Sequence, residues 1–71
     1  MDENAKIKDQ LIQKLKTISQ DRDFLLSVIN AAWHIDDRKK IITFIDGGKD
    51  ATFENVILLA LTLYDEREKG Q

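Results

Sequence analysis

The residues able to do chemistry in this chain are few. One histidine, His34, stands with no cysteine and two serines, Ser19 and Ser27. A serine nucleophile needs a base within hydrogen-bond reach and a third group to orient that base. Ser27 and His34 are spaced to share one face of a helix, but no buried acid is evident to hold the ring. No enzymatic activity is expected. One histidine without cysteine also fails the usual zinc sets. The loop Asp46-Gly47-Gly48-Lys49-Asp50-Ala51 begins like a calcium loop. Its sixth position is Ala51, where glycine is expected, and its twelfth is Ile57, where a glutamate must chelate. Gly47-Gly48 ahead of a helix start offers backbone amides to an anion, without the glycine-rich surroundings of a phosphate loop. No metal, cofactor or small-molecule substrate is expected.

The other residues of chemical interest are bases. Lys6, Lys8, Lys14 and Lys16 fall in one segment and Arg38-Lys39-Lys40 in another. If they converged, they would form a phosphate-binding surface, and a small nucleic-acid-binding regulator is the alternative function. Charge argues against it. The chain has 71 residues and a formal net charge of −2. Its basic bias is confined to the N-terminal part, while Asp50, Glu54, Asp65, Glu66 and Glu68 make the C-terminal part acidic. A helix-turn-helix across the Gly47-Gly48 turn is the most specific form of that alternative. Its second helix would have to present bases to a groove. Instead, that segment is the most hydrophobic in the chain, and the first base on its exposed stripe is Lys69.

These residues must be positioned by helices. Apolar content is 42% and charged content 34%, with no proline, which suits one small soluble domain. A domain of this length buries only about 60% of its unfolded surface. The N-terminus lacks the basic-then-apolar layout of a signal peptide, and the absence of cysteine fits a reducing compartment. A cytoplasmic protein is expected.

The spacing predicts an all-α fold of four helices, at about 5–18, 21–33, 36–46 and 52–69, with residues 1–4 and 68–71 frayed. Ile7, Leu11, Ile12, Leu15 and Ile18 recur at helical spacing in the first. Asp2 or Asn4 is its expected cap. Ser19 or Asp21 caps the second helix, whose inner face holds Phe24, Leu25, Val28, Ile29, Ala31 and Ala32. Asp36 or Asp37 is expected to cap the third, with Ile41, Ile42 and Ile45 inward and Arg38 to Lys40 in solvent. Gly47-Gly48 stops that helix. Asp50 or Thr52 caps the fourth, which is expected to be the central one.

The fourth helix carries the chain's one long apolar run, Val56 to Tyr64. It is too short to cross a bilayer, which takes about 20 residues. At roughly 100° per residue its apolar side chains fill an arc about 200° wide. A surface helix needs only a little over about 100°. Leu58 stands outside even this arc, in the polar stripe of Glu54, Asn55, Thr62 and Asp65. Either the helix is gripped on two sides by its own domain, or one edge is covered by another chain. The expected function is a non-enzymatic protein–protein interaction module, accessory or regulatory in role. Its partner is another protein or a second copy. Leu58 and Leu61 form the candidate contact edge, with Trp33 or Phe44 as anchors.

Overall fold

Each helix of the fold begins at a side chain that caps it. The computed structural model describes residues 2–70, and among these the elements are α1 (Glu3–Lys16), α2 (Arg22–Ala31), α3 (Ile35–Gly47) and α4 (Phe53–Lys69), with no strand. The all-α expectation is met, with boundaries shifted by about two residues. α1 already begins at Glu3 and α4 runs to Lys69, within the stretches expected to fray; Met1 and Gln71 lie outside the described residues.

The backbone amides at a helix start have no partner inside the helix. Asp2 Oδ1 accepts the amide of Asn4 at 3.0 Å, Asp21 Oδ1 that of Asp23 at 3.0 Å, and Thr52 Oγ1 that of Asn55 at 3.2 Å. α3 corrects the expectation. Its cap is His34, whose Nδ1 accepts the amide of Asp36 at 3.1 Å. Asp36 and Asp37 instead sit inside the first turn, where acids complement the helix dipole. At the other end, the amide of Gly48 (φ +74°) donates to the carbonyl of Ile45 at 2.9 Å.

α1 packs on α3 and α2, and α4 packs on α2 and α3. The core is therefore shared by four walls, and α4 is one of them rather than a spine surrounded by the others. α1 contributes Leu11 and Leu15, α2 and its exit Phe24, Val28, Ile29, Ala31 and Ala32, α3 Ile41 and Ile45, and α4 Val56, Ala60 and Leu63. Phe24 stacks on Phe53 with ring centroids 4.5 Å apart and fixes where α4 begins against α2. Trp33, expected at the end of the second helix, lies in the joint after it. Among the described residues no helix is long and apolar enough to cross a membrane.

Candidate interaction surface

The inner stripe of α4 is Val56, Ala60, Leu63 and Arg67. The steps of four, three and four keep one face of a helix toward the core. The first three are buried, and Arg67 is partly so. Ile57 and Leu59 flank this stripe and are half-buried. Beyond it, Leu61 and Tyr64 of the apolar arc are left in solvent, 54% and 41% exposed, and so is Leu58 in the adjoining polar stripe, at 64%. The domain grips α4 along one stripe of ordinary width, and the excess width faces outward.

The four residues expected at a contact edge separate into three neighbourhoods. Leu58 shares an open hollow with half-buried Phe44 and Leu59 and with exposed Thr62, on the α3 side of α4. The Thr62 hydroxyl donates back to the Leu58 carbonyl at 2.8 Å. Leu61 lies on the other flank, lining a hollow with Tyr64, Ala31 and Asn30 against α2. Trp33 is 45% exposed but engaged: its ring meets His34 edge-on at 5.7 Å, and the Arg67 guanidinium lies 5.7 Å from its centroid.

Arg67 belongs to a polar cluster absent from the sequence expectations. Its Nε and Nη2 donate to the two carboxylate oxygens of Asp37 at 2.7 and 2.9 Å. Asp37 is 2% exposed, the one buried charged residue among those described. The hydrogen bonds from Arg67 hold its carboxyl below the usual range. Burial pushes the other way, and the charges of Arg67, Lys40 and His34 add to the lowering. The sequence did carry a signal. Asp37, Ile41 and Ile45 are spaced by four on α3, and Arg67 follows Leu63 by four on α4, so both charges lie on core-facing stripes.

The bases are dispersed. Lys14 pairs with Asp46 at 2.6 Å and Lys39 with Glu3 at 3.2 Å, both across the α1–α3 seam. Arg38 corrects the expectation of a solvated cluster. Its Nε donates to the Ala32 carbonyl at 2.6 Å and its Nη2 to the Ile29 carbonyl at 3.2 Å. It thus satisfies the carbonyls left open where α2 ends. Lys8 and Lys16 point elsewhere, onto a groove between α1 and α2 that also holds Arg22. The floor of that groove is apolar and includes Leu26, 45% exposed; it too was missed from the sequence.

Of the residues first considered for catalysis, Ser27 is exposed and the Nδ1 of His34 is occupied by capping. Among the described residues no three His, Cys, Asp or Glu side chains cluster as a metal set. No protein-family model, curated protein or solved structure matches the chain.

Proposed function

We propose that this chain is a non-enzymatic interaction module, accessory or regulatory in role, that binds a protein partner through the outer face of α4. The observation that carries this reading is the exposure of Leu58, Leu61 and Tyr64 on successive turns of one helix. Scattered exposed leucines are ordinary. Three large apolar side chains in sequence along one helix, each beside a hollow or a half-buried neighbour, form the kind of patch that marks a protein contact. Leu58 with Phe44 and Leu61 with Tyr64 supply the anchors. A homodimer is the simplest form, and the cysteine-free sequence suits a reducing cytoplasmic setting.

Light scattering on the wild type, Leu58→Glu and Leu61→Glu tests the dimer form. Extracts of the native host, passed over the same three proteins, test a foreign partner. The proposal expects an association that the wild type shows and at least one variant loses, with melting temperature unchanged. If all three proteins are monomers and retain the same host proteins, the outer face of α4 has no such role.

A further inference from the structure

The geometry points to a second copy of this chain as the partner, docked so that α4 of each copy lies against the groove between α1 and α2 of the other. This inference rests on the reading of α4 as a contact surface, and adds the partner and the receptor. α2 separates two apolar troughs. On its α1 side, Ile12, Leu25, Leu26 and Ile29 line a groove of about 390 Å³. On its α4 side, Ala31, Leu61 and Tyr64 line a hollow of about 300 Å³. Asn30 borders both. The two troughs therefore belong to one face of the molecule, with α2 as the ridge between them.

The troughs differ in charge. Lys8, Lys16 and Arg22 edge the α1 side, and no acid lines it. None of the three forms an ion pair among the described residues. On α4, Glu54 precedes Leu61 by seven residues and Glu68 follows it by seven, so the three share one exposed stripe. Neither glutamate is ion-paired among the described residues. One half of the face is thus apolar and basic, and the other apolar and acidic.

A two-fold axis lying along the α2 ridge exchanges the halves and leaves α2 of the two copies parallel. Each basic groove then receives the partner's acidic α4, twice over, as an isologous interface requires. The register agrees. Phe24 stacks on Phe53 and Ala31 lies beside Leu61 and Tyr64, so α4 runs alongside α2 in the same direction. Because the axis runs along α2, the partner's α4 keeps this direction, which brings Glu54 toward Arg22 and Lys16 of the other copy and Glu68 toward Lys8. The competing arrangement, α4 antiparallel on α4, fares worse. Centred on Leu61, it sets Glu54 against Glu68 at both ends, and like charges across a contact are penalised.

The test is a charge exchange between Lys8→Glu and Glu68→Lys. Both sites are exposed. Neither Lys8 nor Glu68 is ion-paired among the described residues, and a base in the last turn of α4 suits the helix dipole, so folding is preserved; circular dichroism checks this. Light scattering of the wild type should show a dimer, and each single variant should self-associate roughly tenfold or more weakly. Mixing the two variants should restore dimers containing one copy of each, because both exchanged pairs are then of opposite charge. A wild type that stays monomeric at all concentrations overturns the inference, and the host-extract comparison then decides the α4 reading alone. A dimer lost in Leu58→Glu but indifferent to both charge changes also overturns it, while leaving the α4 reading intact.

Discussion

Arg67 closes on Asp37 with two parallel hydrogen bonds of 2.7 and 2.9 Å, joining the end of α4 to the start of α3 across 30 residues of sequence. The carboxylate is buried and every buried side-chain polar atom among the described residues has a partner. Such a pair stabilises less by existing than it destabilises when half of it is removed. Arg67→Met should therefore lower the melting temperature by more than Asp37→Leu combined with Arg67→Met. The single change leaves a carboxylate without its partner, and the double replaces the pair with apolar packing. A domain of this size shifts by roughly 4–8 °C per kcal/mol, so thermal melts resolve the difference. Equal losses in the two proteins would show that Asp37 does not depend on Arg67.

The same pair sets an acid response. Arg67 depresses the folded-state pKa of Asp37. The unfolded chain therefore takes up this proton at a higher pH than the folded one, and stability falls as pH drops through that interval. The contribution is complete above about pH 4, the ordinary aspartate range, and is lost below it as pH passes through the depressed value. Asp37→Asn removes this component. Urea unfolding between pH 7 and pH 3 should show a larger loss for the wild type than for Asp37→Asn. Parallel curves would contradict the assignment.

Adjacent glycines should respond oppositely to alanine. Gly47 is helical, and an added Cβ there meets nothing within 4 Å. Gly47→Ala should stabilise by about 0.4–1 kcal/mol, chiefly by restricting the unfolded chain. Gly48 has φ +74°, a conformation that costs other residues about 1–2 kcal/mol. Gly48→Ala should destabilise by that amount in denaturant titrations.

The bases predict weak nucleic-acid binding. Lys14, Lys39 and Arg38 are engaged within the fold. The three bases that share one groove, Lys8, Lys16 and Arg22, edge an apolar floor, fewer phosphate contacts than the roughly six to ten of a salt-sensitive nucleic-acid complex. A low-salt shift assay with duplex DNA and with RNA should show no retained complex at micromolar protein. Salt-sensitive binding abolished by Lys8→Glu would contradict this.

Much of the fold is legible in the sequence because helix signals are local. Asp2, Asp21 and Thr52 cap where a short polar side chain precedes an apolar periodicity, and Gly48 ends α3 where a left-handed residue was needed. α3 shows where locality fails. Asp36 and Asp37 both resemble caps, but Asp37 is drawn into the core by an arginine on another helix, and His34 supplies the acceptor. Arg38 likewise reads as a surface base until the open end of α2 is placed beside it. The candidate surface was legible in kind, as an apolar arc too wide for one helix. How Leu58 and Leu61 would divide between two flanks depends on which stripe α2 and α3 cover. The basic groove depends on α1 and α2 lying side by side, and neither helix carries it alone.

Light scattering across a wide concentration range, on the wild type and Leu61→Glu, tests the account most directly. Leu61 belongs to the acidic half of the α2-centred face and is 54% exposed, so its replacement should leave the fold intact. The expected result is a wild type at twice the chain mass and a variant at the mass of one chain, with superimposable melts. Two monomers, or two equally stable dimers, would contradict it.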